Sequence, residues 1–230
     1  MSNSRTDVMG VDACPTGWVG VVLRAGRFAS AHAAPDLHGL LDHGRDAAVV
    51  GIDIPLGLLD SRWRQADRLA AARLGPQRAR VFAVPPRPVW EEDEYAAANH
   101  RCRMVTGSGL SRQTWGLVKK LREANGIREA GDERLHEVHP EISFAAMADG
   151  SPVTWSKKSW TGQRMRHRLL RAHGIVLPED LGAAGRVPPD DVLDAAAAAW
   201  SADRIARGAS ERLPDPPELT ATGLPIAIWW

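Results

Sequence analysis

Short apolar runs separated by turn residues predict a β-rich start to the chain. The run Val8–Asp12 ends on a carboxylate, a turn with Pro15 and Gly17 follows, and a second apolar run covers Trp18–Arg24. Two such runs on either side of a Pro/Gly turn are typical of a β-hairpin. A further turn precedes Arg27–His32, which is therefore predicted as the third strand.

A fourth apolar run repeats the form of the first. Ala47–Asp53 is apolar without alternation and again ends on an acid, which is typical of a central strand covered on both faces. The preceding segment 36–42 has the pattern of a short helix, with Asp36 as its cap. Strands joined through a helix predict an α/β core. Such a core would place Asp12 and Asp53 at the ends of two strands.

Helical patterns interrupt this core over residues 55–131. Apolar residues recur there at helical spacing between loops that contain Gly and Pro. This segment is therefore predicted as a helical insertion within a single domain spanning residues 1–230. The strand pattern resumes at Arg134–Pro140. The alanine-rich stretch Asp190–Arg207 predicts a long helix, with prolines and acids at its start.

The composition excludes several classes of protein. The 230 residues carry a net charge of +1, so any affinity for nucleic acid must come from local basic patches. Cys14 and Cys102 form no CxxC pair, which argues against a zinc ribbon. No apolar segment approaches the roughly 20 residues of a membrane helix. Residues 1–7 are polar and lack the apolar centre of a signal peptide, so we expect a cytoplasmic protein without a membrane partner.

The acids in this pattern suggest a site for a divalent metal ion. Asp12 and Asp53 would meet at one sheet edge if their strands are parallel neighbours. Asp191 and Asp194 are three positions apart and share a face of the late helix, although helix capping alone would also explain Asp191. Glu137 and Glu141 are further candidates, and Glu137, on the strand after the insertion, could reach the same edge. Carboxylate oxygens suit Mg²⁺ and Mn²⁺, so one of these ions is the expected cofactor.

Five motifs that contain these acids stand in order along the chain. They are Gly10–Trp18, Gly51–Leu58, Glu137–Phe144, Ser156–Lys158 and Asp190–Ala195. Together they resemble the DUF429 family, a group of predicted RNase H-like nucleases, and the resemblance runs from about residue 8 to residue 207. It implies a ribonuclease H-like fold, which is a five-stranded mixed sheet with helices on both faces.

The late helix is also similar to that of the Holliday-junction resolvases in the same superfamily. There the pattern is His or Asp, two residues, and then Asp-Ala, and here Asp191 and Asp194 fall on its two acids. This resemblance implies that Asp12, Asp53 and Asp194 are metal ligands, with Asp191 beside them. The second acid of the resolvases is usually Glu, whereas this chain has the shorter Asp53.

A basic segment around residue 157 is a candidate for binding substrate. It contains Lys157, Lys158 and Arg164 and no acid up to residue 173, and Trp155 and Trp160 lie close by in sequence. Clustered cations next to aromatic rings suit phosphates and splayed bases. A solvated helix face with buried tryptophans would have the same pattern.

Two arginines before residue 131 are further candidates. Arg87 lies in a proline-rich loop and Arg112 follows a glycine-rich loop, and either could bind a phosphate. Neither position is specific to nucleic acid, because a nucleotide or a phosphorylated metabolite would be bound as well.

These patterns predict a metal-dependent nuclease that hydrolyses phosphodiester bonds of DNA or RNA, with Lys157 or Lys158 offsetting charge on the transferring group. Two alternatives stay open. One is an ATP-dependent phosphotransferase of the actin or sugar-kinase type, in which the turn at Pro15 and Gly17 would cradle phosphate, although no second glycine-rich hairpin follows an Asp strand. The other is a non-catalytic protein that binds nucleotide or nucleic acid. A nuclease that cuts two strands would need a homodimer, which the sequence leaves open.

Overall fold

The structure is a computed structural model that describes residues 6–230, so residues 1–5 of the polar amino terminus lie outside the described part. The chain divides into two compact units. One consists of the described residues up to Ile54 together with Glu133–Glu211 and Trp229–Trp230, and the other of Pro55–Asp132 and Arg212–Ile228. No helix within residues 6–230 is both long and apolar enough to cross a membrane.

The described residues form seven strands and nine α-helices. The strands are β1 (Asp7–Cys14), β2 (Gly17–Arg24), β3 (Arg27–Ala34), β4 (Ala47–Ile52), β5 (Leu135–Glu137), β6 (Arg212–Leu219) and β7 (Pro225–Trp229). The helices are α1 (Leu37–His43), α2 (Gln65–Leu74), α3 (Arg87–Trp90), α4 (Tyr95–Thr106), α5 (Arg112–Trp115), α6 (Val118–Glu129), α7 (Pro140–Met147), α8 (Trp160–Ala172) and α9 (Pro189–Ala206).

The first five strands form one mixed sheet, as the family resemblance implies. Their order across the sheet is β3-β2-β1-β4-β5. Strand β1 pairs antiparallel with β2 and parallel with β4, and β4 in turn pairs parallel with β5. The two hairpin strands and the crossover to a buried parallel strand confirm the predicted α/β fold class, and the sheet is consistent with an RNase H-like fold.

Different helices cover the two faces of this sheet. Helix α1 starts at the predicted cap, where a carboxylate oxygen of Asp36 accepts the N–H of Gly39 at 2.8 Å. On its face of the sheet, a Cβ atom added to Gly20 of β2 would lie 3.3 Å from the side chain of Leu40. Helix α9 lies on the opposite face and packs against β1, β2 and β4, and α7 and α8 pack against α9.

Two glycines allow α9 to approach the sheet closely. Gly10 of β1 and Gly51 of β4 are partners in the parallel register. A Cβ atom on Gly10 would lie 2.0 Å from the backbone nitrogen of Ala199, and one on Gly51 would lie 2.7 Å from the carbonyl oxygen of Ala198. Only glycine permits this distance. The run 195–199 is completely buried at this contact. The small side chains of the α9 alanines and the two glycines together allow the helix to pack close to the sheet.

The second unit contains helices α2 to α6 together with β6 and β7 up to Ile228, and these two strands form a two-stranded sheet. The segment 55–131, predicted as a helical insertion, carries all five of these helices. Buried polar contacts hold its loops: Arg64 donates to Asp67 at 2.6 Å, and Asp67 also accepts the N–H of Val84 at 2.8 Å. That residues 1–230 form a single domain stays a prediction.

Candidate metal centre

Asp12 and Asp53 lie side by side because their strands are parallel neighbours. In the register of β1 and β4, Val11 is the partner of Ile52, and the N–H of Asp53 donates to the carbonyl of Val11 at 2.9 Å. Side chains alternate along a strand, so Asp12 shares a face with Gly10, two residues before it. The same alternation carried one residue past β4 places Asp53 on the face of Gly51. Both carboxylates therefore face α9.

Asp194 joins them from α9. It precedes Ala195, whose carbonyl oxygen would lie 2.1 Å from a Cβ on Gly10, so it stands where the helix comes closest to β1. One carboxylate oxygen from each of Asp12, Asp53 and Asp194 lies within 4.8 Å of the others. Asp12 and Asp194 are buried and Asp53 is half-buried. The structure thus brings together the three residues that the sequence predicts as metal ligands.

The electrostatics of this cluster favour a bound cation. Burial, reinforced by the charges of Asp53 and Asp194, raises the pKa of Asp12 well above its usual range. Burial also raises the pKa of Asp53 and of Asp194 to about 7, and the nearby Lys157 ammonium partly opposes the increase in both. Three ionised carboxylates this close repel one another, so positive charge is needed to keep them ionised at neutral pH.

Lys157 supplies one such charge. Its ammonium donates a hydrogen bond to Oδ2 of Asp194 and forms an ion pair with it. Burial lowers the pKa of Lys157, but the carboxylates of Asp194 and Asp12 raise it by more, so the net pKa lies above its ordinary value and the side chain is protonated. The sequence placed Lys157 in a substrate-binding patch, whereas the structure places it within the acidic cluster.

Two further acids act on the cluster. Burial, and after it the charge of Asp190, raises the pKa of Asp191 to about 6, and the charge of Asp191 in turn raises the pKa of Asp12 and of Asp53. Glu141, in the first turn of α7, likewise raises the pKa of Asp53 and Asp194. The sequence marks Glu141 as a further candidate beside Glu137, but only Glu137 was predicted to reach the site.

The side chain of Glu137 is directed away from this cluster. It is buried on β5 and is the partner of Ile52 in the parallel register with β4. Paired residues of neighbouring strands project to the same face, and Ile52 projects to the face opposite that of Gly51. This alternation puts Glu137 and the Asp53 side chain on opposite faces. The role of Glu137 in catalysis stays a prediction.

The other predicted substrate-binding residues lie at the surface. Lys158 and Arg164 are exposed, and the guanidinium of Arg164 lies 5.6 Å from the ring centroid of Trp160. Arg87 and Arg112 belong to the second unit and have local partners. Arg87 pairs with Glu129 at 2.7 Å, and the guanidinium of Arg112 lies 4.4 Å from the ring centroid of Tyr95.

The residues of the cluster fit a hard divalent cation. Their donor atoms are carboxylate oxygens, which Mg²⁺ and Mn²⁺ prefer. Asp194 provides an independent indication: only 2% of its surface is exposed, and within residues 6–230 its Oδ1 atom is buried without a hydrogen-bond partner. A buried carboxylate oxygen without a partner is costly unless a cation binds it.

Comparison with known proteins identifies the family. A family model described as "Protein of unknown function (DUF429)" matches residues 10–219. The matched range contains β1, β4 and α9, which carry Asp12, Asp53 and Asp194. No curated protein and no solved structure matches the chain significantly. The motifs and the matched range agree, and the chain belongs to the DUF429 family.

Proposed function

We propose that this protein is a nuclease of the RNase H-like superfamily that hydrolyses phosphodiester bonds of DNA or RNA with Mg²⁺ or Mn²⁺. The observation that carries the proposal is the convergence of Asp12, Asp53 and Asp194, with oxygens within 4.8 Å of one another. Metal-assisted hydrolysis of phosphodiesters needs carboxylates that converge at one point. The order and directions of the strands support the same assignment.

The residues of the cluster take separate roles in this reaction. Asp12, Asp53 and Asp194 would hold the cation, which when bound supplies Lewis-acid activation of the phosphoryl group and of water. Lys157 would offset the negative charge that builds up on the transferring group. Asp191 has a pKa raised by burial to about 6. A base with a pKa near neutrality accepts protons efficiently at neutral pH, so Asp191 would take the proton from the attacking water.

The packing of the β1–β2 turn gives no support to the phosphotransferase alternative. Gly17 has a φ of +144°, and a Cβ atom there would lie 2.1 Å from the carbonyl oxygen of Ala34. The turn needs glycine for this close approach, which accounts for it without a bound phosphate. We therefore assign the reactive centre to the carboxylates and not to the turn.

The proposal is tested with labelled single-stranded, duplex, hybrid and branched substrates in the presence of Mn²⁺. We expect cleavage of at least one substrate by the wild type, and loss of it by about 100-fold or more in Asp12→Asn. Asp203→Asn is the matched control, because Asp203 is also a buried acid but pairs with Arg207 at the far end of α9.

Three results would count against the nuclease. Absence of metal-dependent cleavage on every substrate would end the proposal, as would cleavage that persists in Asp12→Asn. Hydrolysis of ATP in place of nucleic acid would favour the phosphotransferase. If both strands of a duplex or branched substrate are cut, we expect sedimentation to show a homodimer, because each carboxylate cluster would cleave one strand.

A further inference from the structure

Helix α8 carries a row of arginines that no acid neutralises. Arg164, Arg168 and Arg171 are exposed and lie four and three positions apart, which places them along one helix face. None of the three forms an ion pair with a carboxylate of residues 6–230, and the contact of Arg164 is with the ring of Trp160. Three unpaired guanidiniums in a row leave a positive face open to an anion.

This row forms one wall of a groove with a volume of about 670 Å³. We name it the α8 groove, and its basic wall consists of Arg164, His167, Arg168 and Arg171. The rest of its lining has one acid, Glu179, and is otherwise mainly apolar, with Ile175, Leu177, Leu181, Val187, Val192 and Leu193. The groove therefore offers positive charge along one side and an apolar surface along the other.

The two walls call for a ligand with several anionic groups and an apolar face. The arginines from 164 to 171 extend over about 10 Å of helix, since each residue advances about 1.5 Å. That length exceeds one nucleotide step of a stacked strand, which is about 3.4 Å. An unpaired base has an apolar face that can pack against Leu177 and Leu181, whereas a duplex keeps its bases stacked inside.

We infer that the α8 groove binds single-stranded nucleic acid without sequence preference, with phosphates on Arg168 and Arg171 and an unpaired base against the apolar wall. The choice of a nucleic acid as ligand rests on the proposed nuclease function. Lack of sequence preference follows because the apolar wall offers few groups that could read a base edge.

The α8 groove and the carboxylate cluster share helix α9, and α8 begins close in sequence to Lys157 of the cluster. Helix α9 contributes Leu193 to the groove and the next residue, Asp194, to the cluster. Helix α8 begins at Trp160, three positions after Lys157, and Trp160 is 76% exposed. Its exposed indole lies beside Arg164 of the groove, where it is suited to stack on a base. A strand held in the groove would pass Trp160 on its way to the cluster.

The test measures binding without cleavage. A labelled oligothymidylate of about 20 nucleotides, longer than a typical single-strand site, is titrated with the full chain in EDTA, and fluorescence anisotropy is recorded at several salt concentrations. A duplex of the same length is the second ligand. We expect tighter binding of the single strand. Arg168→Gln should weaken it about tenfold and reduce the slope of log affinity against log salt by about 0.7.

Two further variants make the test specific to the α8 groove. Arg45→Gln removes the same charge from an exposed arginine beyond α1, on the other face of the sheet, and should leave binding unchanged. Leu181→Gln keeps the charge and should weaken binding of the single strand by loss of apolar contact. Equal losses in Arg45→Gln and Arg168→Gln would overturn the inference, because they would indicate non-specific attraction.

The remaining outcomes separate this inference from the nuclease proposal. Equal affinity for duplex and single strand would overturn it, and so would displacement of the oligonucleotide by micromolar thymidine monophosphate, which would indicate a site for a free nucleotide. Binding that depends on Arg168 in a protein that cleaves nothing would support the groove and refute the nuclease. Cleavage by the wild type, with normal binding by Arg168→Gln, would refute the groove alone.

Discussion

Lys157 hydrogen-bonds to only one of the two carboxylate oxygens of Asp194, and the other oxygen is available to a metal ion. Its ammonium hydrogen-bonds to Oδ2, while Oδ1 is buried without a hydrogen-bond partner among residues 6–230. Asp194 can therefore bind an internal cation and a metal ion at the same time. The ammonium also lies close enough to Asp12 and Asp53 for its charge to lower the pKa of both. Lys157 thus offsets part of the charge that a metal ion would otherwise neutralise.

Replacing this lysine should strengthen metal binding and weaken catalysis. Without the competing ammonium, Lys157→Met should bind Mn²⁺ about tenfold more tightly, which corresponds to about 1.4 kcal/mol. Cleavage at saturating Mn²⁺ should fall by about 100-fold, because charge on the transferring group is no longer offset. Isothermal titration calorimetry and single-turnover cleavage measure the two effects.

Lys158→Met is the matched control for this variant. Lys158 is the next residue in sequence, carries the same charge and is exposed, so its replacement should leave the affinity for Mn²⁺ nearly unchanged. If Lys157→Met binds Mn²⁺ more weakly than Lys158→Met does, then Lys157 orients Asp194 for the metal and does not compete with it.

The raised pKa values predict how the stability of the metal-free protein depends on pH. Burial raises the pKa of Asp53 and Asp194 to about 7 in the folded chain, while an unfolded Asp titrates near 3.9. The folded state then binds protons that the unfolded state has released. The contribution of these two groups to the free energy of unfolding is therefore greatest below about pH 4, and it is lost as the pH rises through about 7.

Urea unfolding in EDTA between about pH 5 and pH 8 measures this loss. Asp53→Asn cannot ionise at this position, so its stability should fall less with pH than that of the wild type. Added Mn²⁺ should stabilise the wild type more at the upper end of the range, because it competes with protons for the same oxygens. A wild-type stability that rises relative to Asp53→Asn as the pH increases would contradict the shifts.

Much of the fold and of the cluster could be predicted from local pattern. The apolar runs that end at Asp12 and Asp53 indicated two buried strands, and the alanines after Asp194 indicated a helix that packs closely. These signals are periodic and local, so one sequence suffices to find them. The parallel pairing of β1 with β4, which was only a condition of the prediction, is what brings the two acids together.

The contacts that sequence reasoning missed join distant segments without any periodic signal. Lys157 and Asp194 are 37 positions apart and belong to different elements, and a basic run does not reveal which of its lysines turns inward. Glu137 was preferred to Glu141 because the sequence does not give the orientation of side chains on the short strand β5, which depends on its register with β4. Strand β6 was missed for another reason, because its three prolines are not typical of a strand.

The close approach of α9 predicts that Gly10→Ala will be severely destabilising. The new Cβ atom would lie 2.0 Å from the backbone nitrogen of Ala199, and backbone on a buried helix cannot move aside without displacing Asp194. We expect a loss of at least about 3 kcal/mol in the free energy of unfolding, together with weaker Mn²⁺ binding. Urea unfolding and calorimetry provide the two readouts.

A glycine with free space around it serves as the control for that substitution. Gly126 lies within α6, and a Cβ atom there would meet no atom within 4 Å. Gly126→Ala should therefore be neutral or stabilise the protein by up to about 1 kcal/mol. If Gly10→Ala were tolerated as well as Gly126→Ala, the position of α9 on the sheet would be incorrect.

Glu141 and Glu137 can be distinguished by their effects on stability and on metal binding. Glu141 accepts a hydrogen bond at 2.5 Å from Arg166, which is 0% exposed, so Glu141→Gln leaves a buried guanidinium without its counter-charge. This should cost about 3 kcal/mol in the free energy of unfolding. The lost negative charge should also weaken Mn²⁺ binding, because the charge of Glu141 lies close enough to Asp53 to raise its pKa.

Glu137→Gln alters the opposite face of the sheet, so this variant should bind Mn²⁺ as tightly as the wild type does. Calorimetry below the unfolding temperature of both variants separates metal binding from folding. Weaker Mn²⁺ binding in Glu137→Gln, with normal binding in Glu141→Gln, would contradict this assignment. Glu137 would then belong to the metal centre, and Glu141 would have only the structural role of neutralising Arg166.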